Sequence, residues 1–297
     1  MSNVLNLLSE STYIEKMDMQ NALLKAIATA VGGGDEPIEI DSWAVVQQLV
    51  RLGIAPKVFN IGDQLVCNHS KYGKLTWDII GIDHDTPANS EYTHSLTIQL
   101  HDCLTGHQFD APEPTNPDFD RASYGSNNWV ESGIRQWLNS NGKAGTWWTA
   151  KTEYDVKPSY ASSEAGFMAG FDEDFLSTVG EVTKITARNT VTDGGGSDTT
   201  TEKFFLLSQT EVYGGLVNSI SEGEAYPYYA DNSSLSAAGT GADDNRIKYR
   251  SGSAQHWWLR SPYPSYSYYV RGVGTTGGVG SGNASNSNGV APACCII

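Results

Sequence analysis

The end of the chain constrains the fold more than any other part of it. "HWWLRSP" and "VAPACCII" are built from aromatic and aliphatic residues that have to be buried. Between them runs "SPYPSYSYYVRGVGTTGGVGSGNASNSNG", residues 261–289, in which 7 of 29 residues are Gly, 6 Ser, 4 Tyr and 3 Asn, and Arg271 is the only charge. Alone, such a run reads as a low-complexity tail. Held at both ends by core strands, it reads as a displayed surface. In a strand, Trp257 and Leu259 share one face and Trp258 and Arg260 the other. Tyr supplies large, rigid contact area at low entropic cost and small polar residues supply adaptability, which is the composition of antibody loops. The alternative, a flexible Gly/Ser loop with incidental tyrosines, leaves four Tyr within seven positions as an exposed apolar patch without a purpose.

With 297 residues, 39% of them hydrophobic and 10% aromatic, the chain can bury a core for one large domain or two small ones. A formal net charge of −15 argues against nucleic acid as a partner, because phosphate-tracking proteins cluster Lys and Arg. The start, "MSNVLNLLSESTYIEK", lacks the basic region and small-residue cleavage site of a secretory signal, and no apolar run approaches the roughly 18 residues of a membrane span. The expectation is a chain without a signal peptide, made in a cytoplasm and not inserted in a membrane. Cys67, Cys103, Cys294 and Cys295 form no CxxC pattern, and adjacent strand residues point to opposite faces, so buried free thiols are expected.

Residues 13–31 predict a helix with Ile14, Met17, Asn21, Leu24, Ala28 and Val31 spaced as in a heptad seam. That pattern fits a short oligomerising coil in which Asn21 fixes register, and equally an ordinary amphipathic helix. A second helix is expected at 43–52, with Ser42 as N-cap and Gly53 as the stop. "FNIGDQLVC", "LTWDIIGIDHD" and "HSLTIQLHDC" read as three strands of an antiparallel meander. "NNWVESGIRQWLN" carries Trp129, Gly133, Trp137 and Leu138 at helical spacing, "EKFFLLS" reads as a buried strand, and "TDGGGSD" and "AAGTGADDN" as surface loops.

His84, His94, His101 and His107 lie near Asp83, Asp85 and Asp102, but His94 and His101 would face opposite sides of one strand and could not share an ion from it. The pairs Asp243/Asp244 and Asp172/Glu173/Asp174 read as solvated rather than calcium-binding. No GxSxG, HExxH, P-loop or dinucleotide fingerprint is present. Neither a cofactor nor a metal is expected.

Gly272, Gly274, Gly278, Gly280, Ser281 and Gly282 read like replacements within an underlying "VxxVxTxGxVxxxNASNSNGVAPA" frame. Tyr, Ser, Gly and Thr are all reached from an Asn codon by changing only its adenines. "WWLRSP", the polar stretch and "GVAPA" resemble the variable proteins of diversity-generating retroelements and related phage and gut-bacterial proteins. "GIRQWLN", "FFLLSQTEVYG" and "SWAVVQQLVRLGIAPKVFNIGDQL" fit the same group. The resemblance covers most of the chain from about Ser42.

It implies an α+β architecture: a C-type-lectin-like domain of mixed antiparallel strands and few helices at 56–297, with its variable region at about 256–289, after a helical oligomerisation segment at 1–55. It also implies a non-enzymatic phage tail-tip or virion adhesin that meets a bacterial cell-surface receptor; the heptad-like N-terminal helix adds the expectation of a homo-oligomer, and other virion proteins are further expected partners. The ligand-contacting positions carried over are Tyr263, Tyr266, Tyr268, Tyr269, Gly272, Gly274, Thr276, Gly278, Gly280, Ser281, Gly282 and Ser285, with His256 beside them. Trp257, Trp258, Leu259, Arg260, Val290, Ala291 and Pro292 would be the frame. Lectin-type calcium and sugar motifs are not recognisable. Two alternatives stand: a relative of formylglycine-generating enzymes, which would need a reactive cysteine, and a structural virion part without a ligand.

Overall fold

The computed structural model describes residues 37–230 and 244–297. The heptad-like segment at 13–31 and most of "AAGTGADDN" lie outside these residues. In chain order the elements are β1 (Ile38–Glu39), α1 (Trp43–Arg51), β2 (Gln64–His69), β3 (Gly73–Ile82), β4 (Leu96–Leu100), β5 (Thr105–His107), α2 (Phe119–Tyr124), α3 (Gly133–Leu138) and α4 (Glu173–Leu176). There follow β6 (Val179–Gly180), β7 (Val182–Ala187), β8 (Ser197–Glu202), β9 (Phe204–Phe205), α5 (Gln209–Tyr213), α6 (Pro227–Ala230), β10 (Lys248–Arg250) and β11 (Ser253–Gln255). The chain closes with β12 (Trp257–Pro262), β13 (Tyr269–Val273), β14 (Val279–Asn283), β15 (Asn288–Val290) and β16 (Ala293–Ile296). The fold is α+β.

Local chemistry explains where the helices begin and end. Helix α1 buries Trp43, Val46, Leu49 and Val50 along one stripe. Its end is a Schellman motif: Gly53 sits at φ +66°, its N–H donates to Val50, and the Ile54 N–H donates to Leu49. Ser42 occupies the N-cap position, yet its hydroxyl caps nothing within the helix. The Trp43 N–H instead donates to Asp174 Oδ2 at 2.8 Å, from α4, so a carboxylate read as solvated serves as a tertiary cap. Asp172 caps α4 itself through the Phe175 N–H. The helix expected to run from Trp129 starts only at Gly133, because Ser132 accepts the Arg135 N–H and ends the preceding turn. Likewise "EKFFLLS" is no single strand: Glu202 ends β8 opposite Val182, and only Phe204 and Phe205 pair with β16. The carbonyls of Leu206 and Leu207 are taken by Arg260.

Two sheets share one core. The larger runs β1-β2-β3-β4-β16, with β6 and β9 successively pairing the far edge of β16, and β2-β3-β4 is the expected antiparallel meander. The smaller runs β14-β13-β12-β15-β5. They are joined by one split antiparallel ladder. Cys295 pairs with Thr97 in the large sheet, Val290 with Thr105 in the small one, and only Ala291 and Pro292 separate β15 from β16. The C-terminal strands therefore cannot leave the small sheet without opening the large one. Trp77, Trp129, Trp137, Trp257 and Trp258 are fully buried in the shared core, each contributing on the order of 2–3 kcal/mol of transfer free energy. Trp43, Val46, Leu49 and Val50 of α1 belong to this same core.

All four cysteines are buried and free. Burial pushes the Cys67 and Cys103 thiols up to about 12 and holds those of Cys294 and Cys295 well above the ordinary thiol range. The four clustered histidines have separate partners: His84 the Glu224 carbonyl, His94 Asp83, His101 Asp78, and His107 the face of Tyr160 at 3.9 Å. Among the described residues no helix is long and apolar enough to cross a membrane.

Candidate functional site: a tyrosine surface on a locked loop

The "WWLRSP" strand is the floor of the site, and every one of its residues is buried. Trp257 donates its indole N–H to the Arg246 carbonyl and Trp258 to that of His107. Arg260 is wholly enclosed: Nε donates to Thr186 Oγ1, Nη1 to Leu206 O and Glu211, and Nη2 to Glu211 and to the Ile185 and Glu222 carbonyls. Glu211 also accepts from Lys184 and, as the third residue of α5, closes a capping box with Ser208. Lys184 reaches on to Asp85 and the Tyr226 hydroxyl. Burial works against the charged form of Glu211, but Arg260 and Lys184 prevail and hold its carboxyl below the usual range. Ser261 then donates to Glu222 and accepts the Gln209 N–H, completing a paired polar layer.

Above this floor the chain bulges between Trp258 and Pro262, turns, and returns as β13. The turn brings four tyrosines into mutual contact. Tyr263 and Tyr266 meet edge to face with centroids 5.1 Å apart, Tyr266 and Tyr269 likewise at 5.0 Å, and Tyr268 and Tyr269 lie at 4.3 Å. Tyr124 of α2 extends the cluster, 4.9 Å from Tyr268. Tyr266 is 40% exposed and the other three of the turn are half-buried.

The turn's backbone is held by side chains distant in sequence. Asn127 Nδ2 donates to the carbonyls of Tyr266 at 2.7 Å and Tyr269 at 2.9 Å, and the Asn127 N–H donates to Ser267 O. Asn189 Nδ2 donates to Asn127 Oδ1 and to Asp193, which pairs in turn with Arg121 at 2.6 Å. Thr190 donates both its N–H and its hydroxyl to Pro264 O, and Ser267 donates to Asp118, the cap of α2. Asn127 and Asn189 are completely buried. The loop "TDGGGSD", expected at the surface, thus sends Asp193 inward as part of this clamp.

Strand pairing divides the remaining predicted residues between two faces. In the β13–β14 hairpin Tyr269 pairs with Asn283, Arg271 with Ser281, and Gly272 with Gly280. Directly opposed residues share a face, so Tyr269, Arg271, Ser281 and Asn283 lie on one side and Val270, Gly272, Gly280 and Gly282 on the other. Gly272 is buried, and a Cβ there would sit 2.7 Å from the Trp257 carbonyl oxygen, so this glycine permits close strand packing. Gly274 and Gly278 are also buried. His256 is exposed; its imidazole lies over Gly274 and Gly280, where an added Cβ would stand 3.4 and 3.8 Å from Cε1. Thr276 is exposed in the hairpin turn, whose Gly277 carbonyl accepts the Tyr213 hydroxyl. Ser285 is half-buried beside α2, its N–H donating to Tyr124 O. The structure therefore gathers Tyr263, Tyr266, Tyr268, Tyr269 and Ser281 with Arg271, and sets His256, Thr276, Gly278, Gly280 and Gly282 apart.

Sequence reasoning missed Tyr124, Asn127, Asn189, Asp193 and Arg271. Asn127 in "SNNW" and Asn189 in "RNTVTDGG" carry only a turn signal, and nothing local says that they meet. Fold and site together define a core-anchored scaffold presenting an aromatic surface. The chain belongs to the family described as a domain of unknown function, DUF6273, whose model matches residues 100–297. No curated protein and no solved structure matches the chain.

Proposed function

We propose that this protein is a non-enzymatic display protein of the diversity-generating-retroelement type, with a C-type-lectin-like domain whose C-terminal surface binds a bacterial cell-surface receptor on behalf of a phage virion. The observation that carries this reading is the contact cluster of Tyr263, Tyr266, Tyr268 and Tyr269 on a turn whose carbonyls are tied down by the fully buried Asn127. A preorganised aromatic surface binds without losing loop entropy, as a matured paratope does. Placement of the variable stretch on the turn, β13 and β14, above a buried "WWLRSP" strand, supports the same reading. So does the burial of all four thiols, since the chemistry of a formylglycine-generating enzyme would require a reactive one. Individual contacts at the half-buried tyrosines and small residues are modest, and an oligomer formed through residues 13–31 would add avidity.

Replacing Tyr266, Tyr268 and Tyr269 by Ala is the direct test. A tenfold or greater loss of particle adsorption to host cells is expected, with the unfolding midpoint nearly unchanged. Unchanged adsorption would establish the spacer role of a structural virion part instead.

A further inference from the structure

Arg271 is the one charge on residues 261–289, and the fold treats it unlike Lys184, Arg260, Arg121 and Arg135. Lys184 and Arg260 are paired with carboxylates, and Arg121 and Arg135 likewise. Arg271 takes part in none of the ion pairs formed among the described residues, and its buried Nε–H has no acceptor there. Its guanidinium carbon instead lies 3.9 Å from the centre of the Tyr263 ring, which fixes the fork beside the tyrosine cluster. The nearest carboxylate influence is Glu222, and that group is committed elsewhere, accepting the Ala187 N–H and the Ser261 hydroxyl. From Arg246 to Ile297 the sequence contains no Asp or Glu at all, although the whole chain has a net charge of −15. Across the hairpin, Ser281 is exposed and directly opposed to Arg271, adding a hydroxyl on the same face.

Tyr263 meets part of this guanidinium, but with no carboxylate partner and no acceptor for its Nε–H, part of its desolvation cost stays uncompensated until an acceptor arrives. Its planar fork matches a carboxylate in two parallel bonds. Among the described residues of this hairpin face Arg271 is the one cation, so a singly charged group suits it better than a phosphate, whose charge approaches two.

From this geometry we infer that the tyrosine surface recognises a ligand carrying a carboxylate next to a flat or apolar portion, with Arg271 and Ser281 receiving the carboxylate and Tyr263, Tyr266 and Tyr269 the adjoining surface. This rests on the reading of that surface as a binding face and names the chemical class it takes. Benzoate and its uncharged analogue benzamide are the probes, titrated into the full chain while the Arg271 Nε–H and tyrosine ring resonances are followed by NMR at constant chloride. Benzoate is expected to saturate at least tenfold more tightly than benzamide. Arg271→Gln should bring the two within about twofold, and Arg271→Lys, keeping charge without the fork, should leave an intermediate preference. Equal affinities in the native protein, no saturable shift from either probe, or a benzoate preference that survives in Arg271→Gln would each overturn the inference. Inorganic phosphate binding more tightly than benzoate would overturn the choice of carboxylate. Tyrosine-dependent cell adsorption alongside any of these failures would leave the display function standing, so the two can fail separately.

Discussion

Arg260 engages all three guanidinium nitrogens inside the protein, and its partners were chosen by no neighbour in sequence. Removing one member of such a buried pair strands the others, a loss of about 3–5 kcal/mol, which is why the "LRSP" arginine behaves as framework. Not every buried charge is matched so well. The Glu131 carboxyl is pushed up to about 7 by burial, reinforced by Asp193, Asp155 and Glu113 and only partly opposed by Arg121, whose Nη1 stands 3.7 Å away. In the unfolded chain the same group titrates near 4.5, so between these values the folded state holds more protons, and stability falls as pH rises through the window. Glu131→Gln removes that fall. Urea unfolding should find the variant more stable than the native protein by on the order of 1–2 kcal/mol at pH 8 and indistinguishable near pH 4. A variant no more stable at pH 8 would show that the Arg121 pair outweighs the desolvation.

At the scale of elements, the tyrosine turn is rigid because three other segments grip it: the stretch before α3 through Asn127, the loop after β7 through Asn189 and Thr190, and α2 through Asp118. Asn127→Ala deletes both donations to the turn, and a cost of about 1–3 kcal/mol is expected. Hydrogen exchange should accelerate for the amides of residues 265–270 while those of β12 keep their protection. Uniform acceleration throughout the small sheet would mean that turn and sheet open as one unit. Affinity for any ligand should weaken with the loosened turn even though no contacting side chain has changed.

For the whole molecule, the split ladder of β4–β5 against β15–β16 makes the small sheet inseparable from the large core sheet. The family match from residue 100 covers the entire small sheet but omits most of the meander on which β16 lies. If the tyrosine surface is the binding face proposed above, its modest contacts gain most from repetition, and the heptad-like spacing at 13–31 is the sequence feature that would provide it. Light scattering on the full chain at micromolar concentration should report an oligomer, and a chain beginning at residue 37 a monomer. A monomeric full chain would overturn the coil reading.

Several features were legible in the sequence because they depend on near neighbours. The alternation in "LTWDIIGI" and "SLTIQL", the Gly53 stop, the burial of "WWLRSP" and "ACCII" and the clustering of four tyrosines all follow from short-range pattern and the need to hide apolar surface. Other features are pairwise and distant. Asn127 and Asn189 are 62 positions apart, Trp43 is capped by a residue 131 positions away, and the pleat alone divides Tyr269 and Arg271 from Gly272, Gly280 and Gly282. Composition therefore marked where the surface lies. Register and long-range hydrogen bonding decided which of its residues face together, since a shift of one residue in a strand exchanges its two faces.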